Sequence, residues 1–280
     1  GGLIVSLLAG LFLGRRVLFT NHSYARRTWF YRWAARRDWM TTVVLNPNMA
    51  AHYGLAVEPH RCSIIFSGCA DRFLEEPLTA NAWPSADPLA KLKLVGMGTL
   101  VRWKCWHHPI AALARLPAEL KARVEFHLWG PEQADADSQA FAAELRDAIE
   151  QHGLQETVLL RGVTNHVTDA LRDGHFVVVA SENEPCSVSL MEALALGLPA
   201  LAARSGGNVD IVRDGTTGLL YETGSIDGLR DRIVAILNGE FTPASPAEIR
   251  ESVRGWAASE MAAEYNQLYE QLAKPADDDP

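Results

Sequence analysis

The sequence predicts an α/β fold with two lobes, each built around a parallel sheet. Short β-branched runs alternate with helical runs on either side of a segment, 75–90, that contains three prolines and no sustained periodicity. A chain of 280 residues that is 48% hydrophobic is long enough to bury two modest cores. We therefore expect a first lobe over 1–78, a second over 79–255, and a last segment, 256–280, that packs back toward the first lobe and ends in a disordered tail.

The first lobe opens on an apolar run, GGLIVSLLAGLFLG, which we predict to be a buried helix ending at Gly14. The run is too short to span a bilayer, and its flanks are not those of a cleaved signal peptide. Strands and helices then alternate: strand 17–20, helix near 26–37, strand 41–45, helix 48–54 and strand 62–66.

The second lobe repeats this alternation more fully, as expected for βαβ units with parallel strands. Strands are predicted at 92–98, 124–130, 157–162, 175–180, 200–203 and 218–221. Helices are predicted at 108–116, 138–152, 166–172, 187–196 and 225–238, with a final helix at about 247–272. The tail KPADDDP has too little apolar content to fold.

Charge and cysteine content limit the partners and the compartment. A formal net charge of -8 argues against nucleic-acid binding, which needs a basic face. The cysteines lie far apart without a CxxC pair, at Cys62, Cys69, Cys105 and Cys186. This spacing favours free thiols in a reducing compartment over disulfides. We therefore expect a cytoplasmic protein.

The loop between HFVVVA and SVSLMEALAL is the strongest candidate for a ligand site. In an open parallel sheet, ligands bind beyond the carboxyl ends of the strands, and Glu184 lies on the loop at such an end. The backbone N–H groups near Ser187 and Val188 begin the next helix, so the positive end of that helix faces the crevice. A diphosphate suits this position.

Glu192 lies five residues beyond Ser187 on an otherwise apolar helix. An ionised carboxylate there needs hydrogen-bond partners or water, and the ribose hydroxyls of a nucleotide are suitable donors. The alternative, that Ser189 and Glu192 form the exposed stripe of the helix, fits the spacing equally well.

The run SENEPCSVSLMEALALGLPALAARSGGNVDIVRDGTTGLLY resembles the donor-site signature of the retaining family 4 glycosyltransferases, which have the GT-B fold. The likeness includes two glutamates with seven residues between them, a helix-stop glycine, an SGGN turn and the DGTTGLL segment, and it covers most of 93–272. The resemblance implies a GT-B-like protein with two Rossmann-type lobes.

The resemblance also assigns roles to the residues of this loop. The first glutamate, Glu184, is implied to approach the hydroxyls of the transferred sugar, and the second, Glu192, to bind the donor ribose. The backbone amides of Cys186, Ser187 and Val188 are implied to bind phosphate or sugar.

A second loop, GMGTLVRWKCW, follows the first strand of the second lobe. Its glycines allow close approach to a ligand, and a lysine there can stabilise a departing diphosphate. The loop resembles the family's Gly-Arg…Lys-Gly segment, which makes Lys104 the phosphate lysine. Where the family has its arginine, this chain has Gly98 or Thr99, depending on the alignment. Where the family has a glycine after the lysine, this chain has Cys105. Arg102 is a candidate replacement for the missing arginine.

Three further residues follow predicted strands. His22 comes directly after the first strand, and a lone histidine there can be structural. The resemblance offers a second role, because the family often carries a histidine after this strand, close to the donor sugar. Gly130 and Val163 either line a nucleotide base pocket or form ordinary turns. We assign His22 to the catalytic set and the other two to donor binding.

We expect no metal and no cofactor. The pair Asp135 and Asp137 forms a D-x-D pattern, but it precedes a helix in an Ala-rich loop, where N-capping is the expected role. His107 and His108 lack zinc-ligand spacing and are expected in a loop or at a helix start.

Residues 15–37 hold seven arginines interleaved with aromatic residues in an otherwise acidic chain. Such a stretch fits peripheral contact with anionic lipid or a lipid diphosphate acceptor at a membrane surface, and it fits a solvated basic helix equally well.

Together these features imply a transferase that moves a hexose-type sugar from a nucleoside diphosphate to an acceptor hydroxyl, on a glycan, a lipid-linked molecule or a small molecule, with retention. Two rival classes stay open: a non-catalytic nucleotide-sugar-binding or scaffold protein, and a GT-B-like epimerase or phosphorylase. The chain begins at what resembles a late helix of an acceptor lobe. We therefore expect an incomplete first lobe, either truncated or completed by an oligomer or a partner.

Overall fold

The computed structural model describes residues 2–13, 16–58, 61–80, 83 and 90–273. The chain divides into two compact units: unit 1 comprises Gly1–Gly68 and Trp256–Pro280, and unit 2 comprises Cys69–Gly255. Each unit contains a sheet whose paired strands are all parallel, so the predicted α/β class with parallel sheets is confirmed.

Unit 1 has a three-stranded sheet in the order β1-β2-β3. Its elements are α1 (Gly2–Leu13), β1 (Val17–Asn21), α2 (Thr28–Ala35), β2 (Met40–Val44), α3 (Pro47–Tyr53), β3 (Cys62–Ile64) and, near the end of the chain, α13 (Ala258–Ala273). The alternation predicted for 17–66 is therefore present.

The prediction that the first helix is buried is wrong. Leu3 and Leu7 of α1 pack into a cluster with Ala34 and Met40, whereas Phe12 is 81% exposed and Val5, Ile4, Leu8 and Leu11 are also exposed. The helix is apolar around its circumference, but only one stripe of it meets other elements. The predicted helix end at Gly14 lies outside the described residues. In the described part of the chain, no helix has the length and apolar character needed to cross a membrane.

Unit 2 has a six-stranded sheet in the order β6-β5-β4-β7-β8-β9. Its strands are β4 (Leu92–Met97), β5 (Val124–Trp129), β6 (Val158–Gly162), β7 (Phe176–Val179), β8 (Ala200–Ala203) and β9 (Gly218–Tyr221). Its helices are α4 (Arg72–Glu75), α5 (His107–Ala114), α6 (Ala118–Lys121), α7 (Ala136–Gln151), α8 (Val167–Arg172), α9 (Val188–Ala195), α10 (Asn208–Ile211), α11 (Ile226–Leu237) and α12 (Pro246–Glu251). The strand order is that of a doubly wound nucleotide-binding sheet.

The core of unit 2 explains why its strands are continuous apolar runs. Every residue of β7 and β8 is buried, because helices cover both faces of a doubly wound sheet. Trp106, Phe126 and Phe141 are among the largest buried side chains of the core.

The segment 69–80 belongs to unit 2. The sequence had predicted the boundary between the two lobes ten residues later, at 78–79. The Arg250 guanidinium donates to the Glu76 carbonyl at 2.6 Å, and Arg172 donates to the Pro77 carbonyl at 2.6 Å. Thr79 N–H donates to the Leu196 carbonyl at 2.8 Å. These bonds from distant arginines hold the segment, and its proline content gave no sign of them.

The single final helix predicted at 247–272 is also wrong, because the structure breaks it between α12 and α13. A short 3₁₀ turn, Arg254–Trp256, contains Gly255, a poor helix former. The Trp256 ring then stacks on Phe66 of unit 1 with centroids 5.3 Å apart. The break therefore coincides with the point at which the chain returns to unit 1.

Candidate active site at the switch point of unit 2

Two loops meet where the strand order of unit 2 reverses. β4 and β7 are neighbours, and the chain moves outward from them to β5 and β6 on one side and to β8 and β9 on the other. Because the strands are parallel, the loops after β4 and β7 leave the same edge of the sheet on opposite sides of this switch point. The candidate site therefore lies between 98–105 and 180–187.

An ion pair joins these two loops. Lys104 Nζ lies 2.7 Å from Glu184 Oε2, and the two side chains are 15% and 4% exposed. The backbone joins the same loops, since Glu182 N–H donates to the Trp103 carbonyl at 2.9 Å. Two residues predicted from different loops are thus brought together, and a cation and a carboxylate face each other at the switch point.

The N-terminus of α9 lies beside this pair. Ser187 is the N-cap of α9, and within the described residues its side chain does not cap the helix. The first-turn N–H groups, including that of Val188, have no acceptor within the helix because of their position. Ser189 Oγ donates to the Met97 carbonyl at 3.3 Å, which fixes the start of α9 to the end of β4. The helix end predicted to bind phosphate is therefore held at the switch point.

The turn at Gly206 supports the backbone of Glu184. Gly206 has φ +51°, and a Cβ at this position would collide with the Glu184 carbonyl. Gly207 N–H donates to that carbonyl at 2.9 Å. Sequence reasoning noted the SGGN turn only as part of a resemblance. The left-handed glycine next to a strand end was the signal that could have identified its role.

Glu192 is half-buried on α9. Burial raises the pKa of this carboxyl from 4.5 to about 7, and the nearby Arg72 opposes that rise. Burial, followed by the charges of Glu192 and Asp71, raises the pKa of the nearby Cys69 thiol to about 12. The exposed-stripe alternative therefore does not hold, because a carboxylate on such a stripe would be hydrated.

The glycines of the β4 loop allow close approach. A Cβ on Gly130 would collide with the Gly98 carbonyl, and one on Gly98 would lie 3.6 Å from Lys104 Cε. Thr99 accepts a hydrogen bond at its carbonyl from Trp106 Nε1 at 3.0 Å. Gly98 therefore lies along the lysine side chain, and the Thr99 carbonyl is held by Trp106.

A cavity of about 370 Å³ opens beside Gly130 and Val163, at the carboxyl ends of β4, β5 and β6. Its apolar lining includes Leu100, Leu128 and Leu160, and its polar lining includes Glu132 and Arg146. Gly130 and Val163, the two residues predicted to line a base pocket, thus line the same cavity.

The structure does not bring Arg102 to the ion pair. Its guanidinium makes two hydrogen bonds to the Glu144 carboxylate of α7, at 2.6 and 2.8 Å, and lies over the Phe141 ring. The Glu144 charge therefore already compensates the charge of Arg102.

The remaining candidates lie elsewhere. His22 directly follows β1 in unit 1 and is exposed. Asp135 caps α7 by accepting from Ser138 N–H at 3.0 Å, which confirms the predicted N-cap. His107 begins α5, as expected of a helix start. None of the four cysteines, which all lie within the described ranges, forms a disulfide.

Comparison with known proteins identifies the family of unit 2. The family described as Glycosyl transferases group 1 matches residues 80–256, which is more than half of the chain. The chain belongs to this family. The match covers the β4 loop, the β7 loop and α9, so the switch-point site lies within the part of the chain that the group 1 family defines.

Relatives of known sequence cover part of the chain. The protein is 28% identical over 162 residues to N-acetyl-alpha-D-glucosaminyl L-malate synthase of Bacillus anthracis, covering 57% of this chain and 40% of that one. It is 27% identical over 143 residues to poly(ribitol-phosphate) alpha-N-acetylglucosaminyltransferase of Staphylococcus aureus, covering 50% of this chain and 28% of that one. The chain thus spans less than half the length of these group 1 relatives.

Solved structures share the fold. HepE of Anabaena in complex with UDP matches with a TM-score of 0.75 at 19% identity, over 96% of this chain and 76% of that one. Sucrose-phosphate synthase from Thermosynechococcus elongatus matches with a TM-score of 0.78 at 20% identity, over 96% of this chain and 72% of that one. The fold is therefore the GT-B-like α/β fold that the sequence predicted.

Proposed function

We propose that this group 1 family member transfers a sugar from a nucleoside diphosphate sugar to an acceptor hydroxyl, with retention of configuration at the anomeric carbon. The observation that supports this most is the Lys104–Glu184 ion pair, buried at the switch point beside the N-terminus of α9. A lysine and a helix end at one position provide positive charge where a diphosphate gains negative charge.

In the proposed reaction, the bond between the anomeric carbon and the donor diphosphate breaks, and the Lys104 ammonium and the α9 amides stabilise the departing diphosphate. The acceptor hydroxyl attacks from the face that the diphosphate leaves. Its proton passes to a phosphate oxygen of the leaving group, so that a protein nucleophile is not required. Glu184, held by Lys104 and by the Gly206 turn, accepts hydrogen bonds from the sugar hydroxyls and orients the sugar.

Glu192 is proposed to bind the ribose. Its half-buried carboxylate is less hydrated than an exposed one, and two ribose hydroxyls can donate to it. The cavity at Gly130 and Val163 is proposed to hold the base, with Leu100, Leu128 and Leu160 against its faces. UDP is the first nucleotide to test, since HepE of Anabaena was solved in complex with UDP.

Calorimetric titration of the full chain with UDP, GDP and ADP tests the donor site. We expect saturable binding of one nucleotide that weakens about tenfold or more in Lys104→Met, because a charge-assisted hydrogen bond to phosphate is lost. The matched control is Lys93→Met, which removes a lysine paired with Asp173 at 2.8 Å in the same unit. A folded protein that binds none of the three nucleotides contradicts the proposal, and so does equal affinity in the two variants.

Transfer itself is tested by incubating the chain with labelled nucleotide sugars and following release of the nucleotide. The proposal expects release that depends on an acceptor, and an anomeric configuration in the product, read by NMR, that matches the donor. Binding without any release favours the alternative of a non-catalytic binding protein. Conversion of the sugar without an acceptor favours an epimerase or phosphorylase.

For the acceptor we propose a lipid-linked molecule, supported by the surface of unit 1. Ile4, Val5 and Phe12 of α1 and Trp29 of α2 are exposed apolar side chains, and the chain between these helices and just after them is rich in arginine. Apolar and cationic groups together bind anionic membranes. Sedimentation with vesicles should show binding to anionic lipid that falls in Phe12→Ser, and equal binding of that variant would contradict this assignment.

A further inference from the structure

Three side chains with metal-binding atoms converge at the switch point, next to the ion pair. The ligand atoms of Cys105, His108 and Glu182 all lie within 4.8 Å of one another. Cys105 and His108 come from the loop after β4 and the first turn of α5, whereas Glu182 comes from the loop after β7. Sequence reasoning dismissed zinc because His107 and His108 lack zinc-ligand spacing. It did not consider Glu182, which lies in a different loop.

Two of these side chains are buried, and one of them has an unsatisfied nitrogen. His108 is 8% exposed, and its Nδ1 has no hydrogen-bond partner among the described residues. An imidazole nitrogen left unsatisfied in the interior has lost its hydration without replacement. Cys105 is 3% exposed; its Sγ lies 3.6 Å from the Trp103 carbonyl and also hydrogen bonds with the backbone of Glu182.

The backbone of Cys105 is also unusual. It adopts φ +53°, the left-handed conformation that favours glycine. The resemblance to family 4 places a glycine at this position, so the thiol is retained where glycine would fit the backbone better. Strain of this kind persists where the side chain is needed.

We propose that Cys105, His108 and Glu182 bind one zinc ion, with the fourth position of a tetrahedral ion open to water. Thiolate, imidazole and carboxylate are all ligands of zinc, whereas magnesium and calcium require oxygen ligands. The two negative charges of thiolate and carboxylate balance the charge of the ion. Glu182 is exposed, which gives an ion a path from solvent.

The ion would link the same two loops as the Lys104–Glu184 pair. Cys105 is the neighbour of Lys104 in the chain, and Glu182 is two residues before Glu184. A zinc ion at this place therefore holds the two charged side chains in position without contacting the donor itself. The site depends on protein residues alone, so it stands or falls independently of the proposed transferase activity.

Cobalt titration of the full chain tests the site, with Co²⁺ as the spectroscopic substitute for Zn²⁺. After chelator treatment and dialysis, we expect one Co²⁺ per chain, a thiolate-to-cobalt charge-transfer band, and loss of that band when Zn²⁺ is added. Cys105→Ser should abolish the band. Cys62→Ser is the matched control because Cys62 is also buried, and burial raises the pKa of both thiols to about 11.

Glu182→Gln tests the site without risk to the core, because this side chain is exposed. We expect it to lower Zn²⁺ affinity by roughly tenfold or more in competition with a chromophoric chelator. Zn²⁺ should raise the melting temperature of the unaltered chain by more than that of this variant. The proposal is overturned if no charge-transfer band forms, if the band persists in Cys105→Ser, or if Glu182→Gln binds Zn²⁺ as the unaltered chain does.

Discussion

Replacing Glu192 with glutamine should change how the stability of unit 2 depends on pH. Burial raises the pKa of this carboxyl from 4.5 to about 7 in the folded protein. Between these two values the folded state holds a proton that the unfolded state has released, so stability falls as pH rises. The difference corresponds to about 3 kcal/mol lost in full above pH 7. The amide carries no charge at any pH and should not incur this loss.

Urea unfolding, followed by circular dichroism between pH 5 and 8, measures the effect. We expect Glu192→Gln to be more stable than the unaltered chain by about 1 kcal/mol near pH 5 and by about 3 kcal/mol near pH 8, in the transition that belongs to unit 2. Glu156→Gln, an exposed carboxyl-to-amide change in the same unit, is the control. Parallel pH profiles for Glu192→Gln and the unaltered chain would refute the argument that burial destabilises this carboxylate.

The same carboxyl links nucleotide binding to protons. Ribose hydroxyls that donate to Glu192 favour its ionised form, so binding should release protons between pH 6 and 7. Calorimetric titration in two buffers of different ionisation enthalpy measures this release. Equal apparent enthalpies in the two buffers, or a release that persists in Glu192→Gln, would show that the ribose does not lie against this side chain.

Three further substitutions test individual contacts. Gly206→Ala should destabilise unit 2 by about 1–3 kcal/mol and abolish nucleotide binding in calorimetry, whereas Gly215→Ala, also at positive φ but with open space around it, should keep binding. Arg102→Ala should leave nucleotide affinity within about threefold, because Glu144 already pairs with this arginine, and a larger loss would assign it to the phosphate. Trp83→Phe should cost about 1 kcal/mol in urea unfolding, since its Nε1 donates to a buried carbonyl of α11 at 2.9 Å; an unchanged midpoint would contradict this.

The strands were predictable because their pattern is local. In a sheet covered on both faces, each strand is a short continuous apolar run, and HFVVVA became β7 with every residue of the strand buried. The loops at the carboxyl ends of such strands follow directly from topology. Lys104 and Glu184 were therefore identifiable as site residues before their contact was known.

Features that depend on distant contacts were not predictable in the same way. Whether α1 is covered depends on which elements reach it, and nothing in its composition indicates that Phe12 stays exposed. The partner of Arg102 lies on α7, 42 residues further along the chain. The boundary between the two units lies before segment 69–80 because Arg250, near the other end of unit 2, hydrogen bonds to Glu76 of this segment.

The placement of α13 in unit 1 has a consequence for synthesis on the ribosome. Leu268 shares a core with Val43 and Ile65, and Tyr265 hydrogen bonds to Thr20 at 3.0 Å. These partners lie before and after unit 2 in the sequence, so all of unit 2 is translated between them. Unit 2 is contiguous and can fold as soon as it emerges, whereas Val43 and Ile65 of unit 1 lack this packing partner until α13 is made. During that interval, the apolar side chains of Val43 and Ile65 are exposed to aggregation.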